Sequence, residues 1–280
     1  MSLSRSDALA RRAAFRTLHA SGCFVIPNPW DVGSARYLHG LGFQALATTS
    51  SGAAWAHGLP DSGMDCDAVL AHLAQMVQAT PLPLNADFES GYARDAAGVA
   101  ANVKRAVALG VAGLSIEDAT GQPDDPVRDI ASAVERLRAA RAAIDEDDSQ
   151  ALLVGRAENF IVGRPDLADT IARLKAYADA GADCLYAPGI HTREQIDAVV
   201  AAVKPKPVNL LLGAATDWTV ADVAAMGVRR ISVGGGLARA AWAGFLRAAR
   251  GLAQGRFDGL AGATPGPELN AFFRGGAAKR

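Results

Sequence analysis

The chain has 280 residues, of which half are hydrophobic, and its formal net charge is -1. A chain of this length can bury a large core, and a balanced charge gives no electrostatic reason to bind nucleic acid or an anionic membrane. These values favour a soluble, enzyme-sized domain with no nucleic-acid or membrane partner.

The first residues, 1–7, are polar and lead into an arginine-rich helical pattern. This segment lacks the apolar core of a signal peptide and contains no apolar run long enough to span a membrane. The three cysteines, Cys23, Cys66 and Cys184, are too few and too far apart for a disulfide framework or a zinc cluster. We therefore expect a cytoplasmic protein with reduced thiols.

Short apolar runs alternate with longer amphipathic ones between residues 22 and 252, which is typical of repeated βα units. The candidate strands are residues 23–27, 45–49, 82–87, 113–117, 152–156, 184–187, 208–211 and 230–233. The clearest helical patterns are residues 96–109, 127–144, 167–180 and 193–203. Eight βα units in about 230 residues predict an α/β protein with a (β/α)8 TIM-type barrel rather than an open doubly wound sheet.

The barrel pattern ends near residue 252, so we assign residues 1–255 to the barrel and residues 256–280 to a C-terminal arm. The arm contains a short predicted helix, residues 268–273, in which Phe272 and Phe273 need an apolar surface to cover them. We expect this helix to pack on the barrel or on a neighbouring subunit.

Acidic side chains follow two predicted strands, at the barrel end where active sites lie. Asp87 and Glu89 are two residues apart at the end of the third strand, so their side chains point the same way. Glu117 and Asp118 close the fourth strand. Carboxylates held this close repel each other unless a cation lies between them, which suggests a divalent metal site. Because Arg156 closes the fifth strand, the predicted ligand is a small carboxylate.

Several segments, in this order along the chain, resemble the isocitrate lyase and phosphoenolpyruvate mutase superfamily. They are residues 28–36, Thr49-Ser50-Ser51-Gly52 with Gly58-Leu59-Pro60-Asp61, Asp87-Phe88-Glu89-Ser90-Gly91-Tyr92, Ile116-Glu117-Asp118 and Gly155-Arg156-Ala157-Glu158. The third segment is similar to the superfamily's metal motif Asp-x-Asp-Thr-Gly-Tyr, with Glu89 in place of the second Asp. The likeness covers residues 28 to about 252.

The resemblance implies a cofactor, Mg²⁺ or in its place Mn²⁺, that binds a 2-oxo or 2-hydroxy acid. Asp87 would contact the metal directly, while Asp61, Glu89 and Glu117 would hold its water ligands. The resemblance also implies a homo-oligomer, a dimer or tetramer, in which the last helix of each barrel is exchanged between subunits.

The substrate-binding and catalytic residues follow from the same likeness. Arg156 would pair with the substrate carboxylate and, with Asp61 and Glu117, would form the catalytic set. The backbone amides of Ser50, Ser51 and Gly52 would bind the remaining substrate oxygens. Asn209 is a further substrate-binding candidate, not from the likeness but because it is a polar residue within the seventh strand.

The loop after the fourth strand departs from the lyases of this superfamily. Their loop carries Lys-Lys/Arg-Cys-Gly-His, whereas residues 118–128 contain no Cys, Lys or His. The Lys and Asn that mutases and phosphonopyruvate hydrolases place there are absent too. We therefore expect a Mg²⁺-dependent carbon–carbon lyase or decarboxylase of a small 2-oxo or 2-hydroxy dicarboxylate, acting through a metal-stabilised enolate.

Two alternatives stay open at this point. One is a mutase or hydrolase of a phosphonate, which would need a cation from elsewhere, such as Arg94 or Arg128. The other is a barrel that kept the 2-oxo-acid site but lost catalysis. The proton donor is open as well, since Tyr92, Glu158 and His191 are all candidates.

Overall fold

A computed structural model of the chain describes residues 3–146 and 148–275. Within these residues eight parallel strands alternate with helices, which confirms the predicted (β/α)8 barrel. The strands are β1 Phe24–Ile26, β2 Leu46–Ala47, β3 Leu84–Asp87, β4 Gly113–Glu117, β5 Leu152–Arg156, β6 Cys184–Tyr186, β7 Val208–Leu211 and β8 Arg230–Ser232. The helices are α1 Arg5–Ala20, α2 Val32–Gly40, α3 Ser50–Ala56, α4 Cys66–Ala79, α5 Ala96–Ala108, α6 Ile130–Asp145, α7 Leu167–Asp179, α8 Arg193–Val203, α9 Val220–Ala225, α10 Gly236–Ala253 and α11 Gly266–Phe273.

The strands follow one another around the sheet in the order β1-β8-β7-β6-β5-β4-β3-β2. The two ends of this order meet through the backbone N–H of Ala47, which donates to the carbonyl of Pro27 at 3.1 Å. The side-chain amide of Asn28 adds a bond of 2.9 Å to the carbonyl of Thr48. The sheet therefore closes into a barrel, and all eight strands end at the same rim.

Capping residues fix where the helices begin. Asp65, Asp95 and Asp129 precede α4, α5 and α6, and each accepts a hydrogen bond from a backbone N–H of the first helical turn. The sixth helix therefore begins at Ile130, and its predicted start at residue 127 was wrong. Val127 instead forms an antiparallel bridge with Ala119, within the loop that follows β4.

Helix α1 closes the barrel at the end opposite the strand termini. Phe15 is fully buried there, with its ring 6.5 Å from that of Phe24 on β1. Arg12 is buried and donates to the carbonyls of Val107, Val111 and Ser149 at 2.7, 2.9 and 3.0 Å. These bonds satisfy carbonyl groups at the ends of helix and loop segments and attach α1 to this end of the barrel.

The C-terminal arm lies against the second helix. The ring of Phe272 is 4.9 Å from that of Tyr37 on α2, and Phe273 remains half exposed. In the preceding helix α10, only Ala238 and Gly251 are buried. Exchange of a helix between subunits and the division into barrel and arm stay predictions, and residues 276–280 lie outside the described residues.

No helix among the described residues is both long enough and apolar enough to cross a membrane.

Candidate active site

The carboxyl ends of the strands surround a cavity of about 200 Å³. Five of the predicted site residues line it, namely Ser50, Ser51, Asp61, Asp87 and Arg156. They come from the first turn of α3, from the ends of β3 and β5 and from the loop after α3, all at the rim where the parallel strands end. This cavity is the candidate active site.

Arg156 is the centre of an ion-pair cluster at the rim. Its Nη1 atom lies 3.1 Å from Oδ1 of Asp87 and 3.2 Å from Oε2 of Glu117, and its Nε lies 2.5 Å from Oε1 of Glu158. Glu117 and Arg156 are direct partners in the β4–β5 register, which explains their approach. Burial alone would lower the pKa of Arg156, but the surrounding carboxylates outweigh it and raise that pKa well above its usual range.

Two groups beyond Arg156 hold Asp87 in place. Its Oδ2 atom accepts a hydrogen bond of 3.0 Å from the backbone N–H of Ser50. Its own backbone N–H donates to Oγ1 of Thr48 at 2.9 Å. Asp87 is thus oriented from two neighbouring strands and presents its carboxylate to the cavity.

The site contains more carboxylates than cations. Burial and the charge of Asp87 raise the pKa of Glu89 to about 7, and the same two causes raise the pKa of Asp61. Burial also raises the pKa of Glu117 well above its usual range, although Arg156 opposes this shift. Burial is the largest cause of each shift, and repulsion between neighbouring carboxylates adds to it. A bound divalent cation would relieve that repulsion.

The side chains of this site are not arranged so that several of them bind one metal ion directly. Among residues 3–146 and 148–275, no group of three or more His, Cys, Asp and Glu side chains is positioned to hold a metal ion. Mg²⁺, however, commonly binds through one or two carboxylates and completes its shell with water and substrate oxygens. The donor set fits that mode, with Asp87 at the cavity wall and Glu89 and Glu117 farther back.

The segment that carries Glu89 is held in an unusual backbone conformation. Glu89 and Tyr92 have φ angles of 43° and 52°, in the left-handed region that non-glycine residues seldom adopt. Buried Arg136 on α6 donates to the carbonyls of Ser90 and Ala93 at 2.7 Å each, and to that of Arg94 at 3.1 Å. A side chain far away in sequence thereby fixes the loop beside the predicted metal ligand.

The three predicted backbone donors of α3 are used differently. The Ser50 amide binds Asp87, while the Gly52 amide donates to Oγ1 of Thr49 at 3.3 Å as part of the helix cap. Gly52 is buried, and a Cβ atom there would lie 2.9 Å from Cβ of Trp30. The structure therefore places Ser50 and Ser51 at the cavity and Gly52 in packing behind it.

Asn209 lies below the rim rather than at it. It is fully buried, with Nδ2 donating to Oγ of Ser232 at 2.9 Å and Oδ1 accepting from Nε of Arg230 at 2.7 Å. Ser232 and Arg230 line the cavity, as does Tyr186, whose ring lies 5.2 Å from Cζ of Arg156. No site role was predicted for Ser232 or Arg230. Their positions in the chain gave a weak signal only, because the alternation on β8 places Arg230 and Ser232 on one face without showing that this face points into the barrel.

The structure separates the three candidate proton donors from the cavity. None of Tyr92, Glu158 and His191 is among the residues that line it. Glu158 is 3% exposed and accepts from Nε of Arg156. His191 is exposed, and its Nδ1 lies 3.0 Å from the carbonyl of Gly189. Tyr186, by contrast, lines the cavity, and burial raises the pKa of its hydroxyl to about 12.

Comparisons with known proteins show the family to which the chain belongs. Residues 15–253 match the family described as phosphoenolpyruvate phosphomutase. A crystal structure of a candidate lyase/mutase from Burkholderia cenocepacia J2315 is 45% identical, with a TM-score of 0.92 over 98% of this chain and 99% of that one. Oxaloacetate acetylhydrolase, solved with its product oxalate, is 28% identical, with a TM-score of 0.83 over 94% of each chain. The same enzyme has been solved with the inhibitor 3,3-difluorooxaloacetate. Oxaloacetate decarboxylase of Bradyrhizobium sp. (strain ORS 278) is 34% identical over 234 residues, which are 80% of this chain and 77% of that protein.

Proposed function

Because the chain belongs to the phosphoenolpyruvate phosphomutase family, we propose that it is a Mg²⁺-dependent lyase or decarboxylase of a small 2-oxo or 2-hydroxy dicarboxylate. The observation that carries this proposal is the contact of Asp87 with both Arg156 and the Ser50 amide at the wall of the cavity. Relatives that act on oxaloacetate support it.

The metal would be held mainly by Asp87, with Asp61, Glu89 and Glu117 binding its water ligands. Mg²⁺, or Mn²⁺ in its place, supplies Lewis-acid stabilisation of the negative charge that develops on the 2-oxo oxygen when a neighbouring carbon–carbon bond breaks. The carboxylates of this chain are suited to such a hard cation because all their donor atoms are oxygen.

Arg156 would bind the carboxylate next to the 2-oxo group. Its guanidinium forms a planar fork suited to a carboxylate, and it already lies between acidic groups at the cavity wall. A substrate carboxylate would replace Asp87 as the partner of Nη1 of Arg156. Asp87 would then be free to bind the metal. The Ser50 hydroxyl, which donates to Oδ1 of Asp61 at 3.4 Å and lines the cavity, would donate instead to a substrate oxygen.

The phosphonate alternative has less support from the cavity. Arg94 and Arg128, the cations considered for it, do not line the cavity. Among the described residues, the loop between Asp118 and Arg128 is a short antiparallel turn bridged by Ala119 and Val127, with no cation directed to the site. Transfer of a phosphoryl group needs a cation near the reacting oxygens, and the arginines that line this cavity are Arg156 and Arg230 instead.

Proton NMR of the purified protein with MgCl₂ tests the proposal. Separate samples contain oxaloacetate, isocitrate, methylisocitrate, 2-methylmalate or phosphonopyruvate, each compared with a chelated sample and with a protein-free sample containing Mg²⁺. We expect pyruvate or another small oxo acid to form from oxaloacetate or 2-methylmalate, the two dicarboxylates, faster than in either comparison sample. Product from isocitrate or methylisocitrate alone would assign a tricarboxylate substrate instead. Line broadening with Mg²⁺ but no product from any compound would instead favour a binding protein without catalysis. Product from phosphonopyruvate alone would favour the phosphonate alternative.

A further inference from the structure

A second arginine lies at the floor of the cavity, one layer below the rim. Arg230 on β8 is 2% exposed and lines the cavity. Its Nε donates to Oδ1 of Asn209 at 2.7 Å and its Nη1 donates to Oδ1 of Asn85 at 3.3 Å. Both acceptors are uncharged amide oxygens, so the hydrogen bonds orient the guanidinium without neutralising it.

Arg230 differs in this respect from Arg156. The carboxylates of Asp87, Glu117 and Glu158 all pair with Arg156, whereas none of the ion pairs found in the described part of the chain includes Arg230. A buried cation without a nearby anion is unfavourable, because the lost hydration is not replaced. The positive charge of Arg230 at the floor of the cavity is therefore balanced only when an anion binds there.

The distance between the two layers fits a small dicarboxylate. Asn85 and Asp87 are two residues apart on β3, and Arg230 and Ser232 are two residues apart on β8. Two residues along a strand cover roughly 6.6 Å. A four-carbon acid whose 2-oxo end lies beside Asp87 can extend its other carboxylate over about that distance, down to Arg230. The cavity volume of about 200 Å³ leaves room for such a molecule.

We propose that Arg230 binds the second carboxylate of the substrate and selects dicarboxylates over 2-oxo acids that lack this group. This inference rests on the proposed function and specifies its substrate class. Asn209 is then a positioning residue, since it holds both Arg230 and Ser232 and lies behind the cavity wall. The rim arginine recognises the reacting end of the substrate and the floor arginine recognises the other end.

Calorimetric titration with two probes tests this assignment. Oxalate can occupy the metal and Arg156 but is too short to reach the floor, whereas 3,3-difluorooxaloacetate carries the additional carboxylate. Both probes, and phosphonopyruvate as a comparison ligand, are titrated in MgCl₂ into the wild type, Arg230→Met, Arg230→Lys and the control Arg229→Met. Arg229 is the neighbouring residue on the chain, and its side chain binds the carbonyl of Gly22 at the other end of the barrel.

We expect Arg230→Met to weaken 3,3-difluorooxaloacetate at least tenfold, equivalent to about 1.4 kcal/mol, and to change the oxalate affinity less than twofold. Arg230→Lys, which keeps the charge, should retain part of the preference and replaces the Met variant if that one fails to fold. Equal weakening of both probes, or no weakening, would overturn the assignment. A larger loss for phosphonopyruvate than for 3,3-difluorooxaloacetate would assign the floor to a phosphonate instead. If the wild type binds neither probe with Mg²⁺, the proposed function itself fails.

Discussion

The backbone N–H of Ser50 donates a hydrogen bond of 3.0 Å to Oδ2 of Asp87. This contact joins the first turn of α3 to the end of β3, so the carboxylate is oriented by the backbone rather than by flexible side chains alone. Its other oxygen, Oδ1, faces Arg156. An oxygen pair fixed in this way offers a metal ion a preformed ligand and reduces the entropy lost when the ion binds.

Arg156→Lys should lower turnover by roughly 10-fold to 100-fold, because an ammonium group keeps the charge but not the planar fork that pairs with a carboxylate. The variant should still fold, since Lys can remain paired with Asp87, Glu117 or Glu158. Steady-state kinetics together with a thermal melt measure both properties. Turnover equal to that of the wild type would show that Arg156 is only a structural ion-pair partner.

Arg136→Met should weaken Mg²⁺ binding several-fold, although Arg136 does not line the cavity. Its guanidinium holds three carbonyls of the loop between Glu89 and Arg94, and that loop contains two left-handed non-glycine residues. Loss of these donors leaves buried carbonyls unpaired, which costs about 1–3 kcal/mol of stability.

Calorimetric Mg²⁺ titration and urea unfolding measure these two effects for Arg136→Met. Arg138→Met is the control, because Arg138 lies on the same helix but is exposed. A stability loss with unchanged Mg²⁺ affinity would show that the loop conformation does not depend on Arg136.

The order of the strands and the main site residues were predictable from the sequence. The bounds of β4, β5 and β7 match their predicted ranges, and Asp87, Arg156 and Ser50 come together as expected. Each of these residues ends an apolar run, and strand ends share one rim in any parallel barrel.

The floor of the cavity was not predictable in the same way. Both faces of a barrel strand are buried, so the alternation on β8 shows that Arg230 and Ser232 share a face but not whether that face points to the lumen or to the helices.

The role of Gly52 was missed for a different reason. Its amide serves the cap made by Thr49, and its lack of a Cβ atom allows close packing against Trp30, which no local pattern reveals.

His19 should make stability depend on acid pH. Burial and the charges of Arg230, Arg16 and Arg229 lower its pKa to about 3. The folded state therefore keeps His19 neutral between about pH 3 and 6.5, while the unfolded chain takes up a proton as the pH falls through 6.5. The contribution of His19 to the free energy of unfolding is thus complete above pH 6.5. It falls on acidification, by up to about 2 kcal/mol between pH 6.5 and 5.

Urea unfolding of the wild type and His19→Gln at pH 5 and pH 7 isolates this contribution. The variant is expected to lose less stability than the wild type between the two pH values, whatever its absolute stability. His39→Gln, at an exposed position on α2, is the matched control. An unchanged pH dependence in His19→Gln would contradict the shifted pKa.

Helix α10 should form a contact between subunits. Its exposed apolar side chains include Trp242 and Phe245, whose rings lie 5.2 Å apart, and Leu246. A contiguous apolar surface of this kind favours association. We expect sedimentation equilibrium to show a dimer or tetramer for the wild type and a smaller species for Phe245→Glu. Arg138→Glu should leave the assembly unchanged, and a monomeric wild type would refute the predicted homo-oligomer.

The most direct test of the central claim is the rate of oxaloacetate consumption by the wild type and by Asp87→Asn in MgCl₂, with the rate due to Mg²⁺ alone subtracted. The substitution keeps the size of the side chain but removes the charge that would bind the metal. The control, Asp129→Asn, changes a helix cap outside the cavity to another good capping residue. We expect Mg²⁺-dependent turnover by the wild type and by Asp129→Asn, and no turnover above the subtracted rate for Asp87→Asn. Equal turnover by Asp87→Asn and the wild type would contradict the claim.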